Sequence, residues 1–193
     1  MIDYLSNMLI NKFKIQSIIQ EEDEEVYFYG LQLLIATIIK IVGLIVIASI
    51  LGFVVETIVF MVFYSSLRVQ AGGFHASTFF KCLIITMIII SISLVIAYLI
   101  PHNYASNMQL IILVIAILLV YLYAPVDTEN KPLSKKEVLI YRRRSMITVL
   151  IGSTIILTTI YLYNELMILG NVAALAFFSE SVTLTPLFQK KPK

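Results

Sequence analysis

From about residue 31 onward the chain alternates long apolar runs with short polar stretches. Six hydrophobic segments fit the pattern, at roughly 31–51, 52–67, 80–100, 108–124, 146–163 and 166–184. Such runs read as membrane spans, because lipid offers backbone N–H and C=O groups no partner outside their own helix. The third and fourth segments are the clearest. The second is short, and the sixth contains Asn171, Ser179 and Glu180, so these two are expected either to cross or to lie in the interface. Upstream, Ile2, Leu5, Leu9 and Phe13 recur at helical spacing, while Asn7, Asn11, Lys12 and Lys14 fall largely elsewhere. That periodicity predicts a short amphipathic helix on the membrane surface, with a flexible tail as the alternative. The acidic run Glu21–Glu25 reads as a solvated helix face. The expected fold is therefore an all-α polytopic membrane protein with about six hydrophobic helices, four to six of them spanning. Residues 1–193 are expected to form a single domain. Residues 1–29 are its cytoplasmic or interfacial N-terminal segment and residues 125–145 a basic cytoplasmic loop.

Composition narrows the class further. With 60% hydrophobic residues and a mean hydropathy of +0.94, the chain is not an ordinary soluble domain. A formal net charge of +2 and the lack of any nucleic-acid motif argue against a DNA or RNA partner. The first residues lack a compact apolar core followed by small residues, so no cleaved signal peptide is expected and the first span serves as the insertion signal. The distribution of basic residues sets the orientation. Lys12 and Lys14, Arg68 and Lys81, Lys131 to Arg144, and Lys190 to Lys193 all fall on one side of a six-span arrangement. Lys40, inside the first segment, is the exception. Positive charge stays inside, which predicts that both termini and the stretch between the second and third spans are cytoplasmic, in a multi-pass membrane protein. Lys40 and Glu56 are the ionisable residues read as intramembrane. Each is weighed as a functional group, against snorkelling for Glu56 and a helix–helix contact for Lys40.

The candidate chemistry lies in Arg68 to Cys82, RVQAGGFHASTFFKC, which holds the only cysteine and one of two histidines. Ser77 or Thr78 is a suitable N-cap for the third segment, which would put Cys82 near a first helical turn, where the dipole favours a thiolate. Lys81 adds positive charge, and His75 is a base that titrates near physiological pH. On one continuous helix the two side chains would be roughly 10 Å apart along the axis, so their pairing requires His75 to sit in a loop that folds back. Gly72 and Gly73 supply the backbone freedom for such a loop. Arg68, Gln70, Gly72, Gly73 and Ser77 are supporting candidates by proximity, for orienting His75 or holding an oxyanion. The duller alternatives are a packing cysteine and a loop histidine without a role. His102 follows Pro101 on the opposite face and reads as an interfacial loop residue. One cysteine and two histidines on opposite sides do not close a metal site, HExxH and GxSxG are absent, and no cofactor is called for. A rival of another class is a small transporter or channel component, with Lys40 and Glu56 in its path.

The stretch RVQAGGFHASTFFKC resembles the AgrB family, bacterial membrane endopeptidases that process quorum-sensing propeptides. The glycine pair, the aromatic, His75–Ala76 and the cysteine seven residues after the histidine all match. YAPVDTENKP, Tyr123 to Pro132, resembles the family's loop after the next span, and the acidic stretch before VYFYGLQLL is also family-like. Where the family is often more basic around the histidine loop, this chain has Val69 and Gln70. The resemblance implies that Cys82, activated by His75, attacks an AgrD-like propeptide at the C-terminal side of the future signal. The tail leaves, the peptide stays as a thioester, and an internal cysteine or serine captures it as a thiolactone or lactone ring. It also implies a homodimer. Lys131, Lys135 and Lys136 in the basic loop are candidates for attracting the acidic tail, with topology enforcement and anionic lipid as the alternative role.

Overall fold

The computed structural model describes residues 2–15, 19, 23–74, 78–127 and 133–188; among these the regular secondary structure is helical and no strand occurs. The chain divides into two compact units, Met1–Gly52 and Phe53–Lys193. In the first, helix α1 (Ile2–Ile15) packs along α2 (Glu24–Leu51). Gln32 Nε2 donates to Asp3 Oδ1 at 2.7 Å, and Lys14 pairs with Glu24. The amphipathic reading of the N-terminus thus holds as a helix. α2 starts seven residues before the apolar run, because Glu24 and Glu25 suit the positive end of a helix dipole. It stops at Gly52, whose φ of 79° ends it in a left-handed cap.

The second unit contains α3 (Val54–Ala71), α4 (Phe79–Leu99), α5 (His102–Tyr123), α6 (Lys135–Leu162) and α7 (Met167–Thr183), the last entered through a 3₁₀ turn at Asn164–Leu166. Six helices, α2 to α7, are long and apolar enough to cross a membrane. The second hydrophobic segment is not short after all. α3 continues through Arg68 to Ala71, and its 18 residues rise roughly 27 Å, close to a hydrocarbon core. The span 125–145, expected as a basic loop, is helical from Lys135 onward. A capping box starts α6 there: Ser134 Oγ accepts from the Glu137 N–H at 3.3 Å, and Glu137 Oε2 accepts from the Ser134 N–H at 2.9 Å. His102 is likewise not a loop residue; it is the exposed first residue of α5, which begins six residues before the apolar run.

The sixth segment, whose polar residues left crossing and an interfacial position both open, is long and apolar enough to span as α7, and 67% of its apolar window is buried, against 33% or less in the others. It packs against α3, α4, α5 and α6. Gly170, Ala173, Ala174 and Ala176 let these neighbours approach closely, as small residues do between membrane helices. The polar side chains are paired inside. Asn171 Nδ2 donates to the Ala97 carbonyl at 3.0 Å, Gln109 Nε2 donates to Asn171 Oδ1 at 2.6 Å, and the Ser93 and Ser179 hydroxyls are 3.3 Å apart. Phe177 meets Phe63 edge-on at 5.3 Å between ring centres, within a core that includes Leu67, Leu113, Val149 and Leu184. Within this antiparallel succession, the end of α3, the start of α4, the end of α5, the start of α6 and the end of α7 share one side.

Candidate functional site

That shared side gathers the chemistry-bearing residues. Thr78 adopts extended backbone and its side chain accepts a hydrogen bond from the Lys81 N–H at 3.3 Å, so Thr78 is the N-cap of α4. Cys82 follows in the first turn, its N–H bonded to the Thr78 carbonyl at 3.0 Å; it is in no disulfide and is partly buried. Before the cap, α3 ends where Gly72 turns with φ 76° and Gly73 continues with φ 124°, both disfavoured for any residue with a Cβ. Space also demands glycine there. A Cβ on residue 72 would lie 2.7 Å from the Val126 carbonyl oxygen, and one on residue 73 would lie 2.9 Å from Glu180 Oε1. The Val126 N–H bonds to the Ala71 carbonyl at 2.8 Å, which ties the end of α3 to the segment after α5. Phe74 and Phe188 meet at 6.3 Å between ring centres.

At the centre is an ion pair. Arg68 Nη1 donates to Glu180 Oε1 at 3.3 Å and Oε2 at 3.4 Å, and to Thr183 Oγ1 at 3.3 Å, while Nη2 donates to the Phe74 carbonyl. The Glu180 side chain has no exposed surface; that of Arg68 keeps 22%. Tyr64, one turn before Arg68 on α3, lies within electrostatic range of the Glu180 carboxylate, the Arg68 guanidinium and the Cys82 sulfur. Tyr64 stacks on Phe60 at 5.6 Å, which holds its ring one turn further along α3.

Of the residues singled out in the sequence, Arg68, Gly72, Gly73 and Cys82 fall in this region. Gln70 is partly buried near the end of α3, its Oε1 without a hydrogen-bond partner among the described residues. His75, Ser77 and Lys131 lie outside the described residues. Lys135 and Lys136 are the exposed first two residues of α6. Tyr64, Glu180 and Thr183 were missed. Glu180 belongs with the intramembrane ionisable residues, a group the sequence reading had limited to Lys40 and Glu56. An acidic residue late in an apolar segment was the available signal. Glu56 accepts a hydrogen bond from the Tyr98 hydroxyl at 2.7 Å, joining α3 to α4 at their other ends. On that far side a cleft of about 410 Å³ is lined by Ser106, Gln109, Leu157, Ile160, Tyr161 and Asn164, and its lining holds no nucleophilic thiol. Among the described residues no group of histidine, cysteine and carboxylate side chains is arranged to hold a metal.

The family model for accessory gene regulator B, AgrB, matches residues 2–184. The chain belongs to the AgrB family. It is 30% identical over 175 residues to a protein of Clostridium perfringens strain SM101 provisionally named AgrB-like, covering 86% of this chain and 77% of that one. It is 28% identical over 175 residues to a similarly named protein of Listeria innocua, covering 88% and 82%. No solved structure matches the chain. Membership of the AgrB family supports a role in quorum-sensing propeptide processing, in a multi-pass membrane protein. The AgrB match runs through both compact units and includes the whole cluster around Arg68, Cys82 and Glu180.

Proposed function

We propose that this protein is a membrane cysteine endopeptidase that removes the C-terminal tail of an AgrD-like propeptide and promotes closure of the remaining peptide into a ring. His75 takes the proton of Cys82, and the sulfur adds to the carbonyl carbon of the scissile peptide bond. The C–N bond breaks, the imidazolium returns its proton to the leaving amine, and the N-terminal part of the peptide remains as a thioester on Cys82. A cysteine thiol or serine hydroxyl inside that peptide then attacks the thioester, giving a thiolactone or lactone and restoring Cys82. Thioester and thiolactone have similar acyl-transfer potential, so the second step is close to balanced. Forming either from an amide is unfavourable, so departure of the tail or removal of the product draws the sequence forward. Holding the internal nucleophile beside the thioester replaces a bimolecular encounter by an intramolecular one.

The observation that carries this reading is the setting of the sole thiol. Cys82 sits partly buried in the Thr78-capped first turn of α4, at the positive end of that helix dipole. An amphipathic propeptide lying on the cytoplasmic leaflet would present its cleavage site at this level, and Lys131, Lys135 and Lys136 would attract its acidic tail. Co-expression with the propeptide encoded beside this chain tests the assignment. Tail release should disappear in both Cys82→Ala and His75→Ala while membrane levels of the protein stay unchanged. Continued cleavage by Cys82→Ala sinks the proposal.

A further inference from the structure

The Arg68–Glu180 pair is arranged in a way that holding two helices together does not require. An ion pair taken out of water gains little net stability, since desolvation offsets attraction and apolar residues of similar volume pack as well. α3 and α7 already meet through Phe63 and Phe177 nearby. The guanidinium also divides its two terminal nitrogens between different tasks. Nη1 serves Glu180 and Thr183 on α7, whereas Nη2 leaves the helices and donates to the carbonyl of Phe74. Phe74 immediately precedes His75. The loop is moulded to the pair: a Cβ on Gly73 would come within 2.7 Å of Thr183 Oγ1 and 2.9 Å of Glu180 Oε1. Because a peptide unit is planar, fixing its oxygen restricts the direction in which the chain continues.

Resting on the reading given under Proposed function, we propose that Glu180 is a positioning residue for the His75–Cys82 chemistry and acts through Arg68. The carboxylate fixes the guanidinium, and the guanidinium's free nitrogen fixes the carbonyl at which the chain enters residues 75–77. Glu180 touches no substrate in this scheme. Its charge serves to stop the Arg68 fork from turning toward the interface, where it would release the Phe74 carbonyl. A lysine at position 68 would keep the charge but not the fork, and so would not serve both acceptors.

The single cysteine makes the test independent of any identified peptide. In membrane vesicles holding the full chain, N-ethylmaleimide labelling at neutral pH reports Cys82 alone. The variants are His75→Ala, Arg68→Lys, Glu180→Asp and the apolar double variant Arg68→Met with Glu180→Leu, each with its thermal melting in detergent. The double variant should melt like the wild type, yet label more slowly by on the order of tenfold or more, as His75→Ala does, the scale on which misplaced catalytic groups lose rate. Glu180→Asp should recover part of the rate, and Arg68→Lys should not. If the double variant melts and labels like the wild type, the pair is only a helix–helix contact and the inference fails. Should the double variant not fold, Arg68→Lys decides: slow labelling in a folded protein supports the inference, and a wild-type rate overturns it. If His75→Ala itself labels at the wild-type rate, the dyad reading falls first and this inference falls with it.

Discussion

Glu180 has no exposed side-chain surface, and in a helix enclosed by four others its carboxylate finds compensation only within the fold. Arg68 supplies it, and the close packing around that carboxylate explains why residue 73 is glycine. Replacing Gly73 by alanine imposes a Cβ on a backbone with φ 124° and drives it against buried polar atoms. The expected cost is about 1–3 kcal/mol in stability. Thermal melting in detergent should show that loss together with reduced tail release; a Gly73→Ala protein with wild-type melting contradicts the packing described here. Arg68, Gly72, Gly73 and Cys82 were readable as candidates because they stand together in one short motif. Glu180 was not, because 112 residues separate it from Arg68 and nothing in its own stretch of sequence points to that partner.

Helix starts decide where the reactive groups sit. Thr78 satisfies an otherwise orphan amide of α4 and so fixes the turn that carries Cys82. Thr78→Ala should remove about 1 kcal/mol of helix stability, fray that turn and lower the rate of Cys82 alkylation. Ser134→Ala strikes a comparable cap on α6 and should destabilise by a similar amount without changing alkylation of Cys82. Equal labelling losses in the two variants would show that alkylation follows overall stability and not the α4 start. The type of the apolar elements was legible from run length. Element ends were less so, since α2, α5 and α6 each begin in polar residues that a hydropathy pattern ignores. At Lys135 to Arg144 the charged stretch looked like a loop, but the Ser134–Glu137 capping box starts a helix there. Arg142 is held by the Tyr121 carbonyl at 3.0 Å, with its guanidinium over the Tyr121 ring.

On the scale of the whole molecule the open matter is which side faces the cell interior, and the basic residues predict it. The chain becomes cysteine-free with Cys82→Ala alone, so single cysteines can be introduced at exposed positions on the two sides of the bundle. Asn103→Cys should react with an impermeant thiol reagent on intact cells, whereas Lys136→Cys should react only after the membrane is opened. The reverse pattern would put the Cys82 side outside and remove access to a newly made propeptide. The same scale explains why the sixth segment was the harder one to place. A hydropathy pattern reports what a helix shows to lipid, and α7 shows lipid little. Its neighbours are protein, so Asn171, Ser179 and Glu180 cost nothing that their partners do not offset.

The order of residues alone settled that the chain is built of long apolar helices and which family it resembles, and it singled out one thiol as the candidate for chemistry. Those properties depend on local composition and on groups close together in the chain. Tertiary structure alone decided that a span interrupted by polar residues is the most buried one and that its carboxylate reaches the arginine near the end of α3. Such a contact joins distant parts of the chain, and no local pattern encodes which neighbours a helix will have when lipid, water and protein compete for its faces.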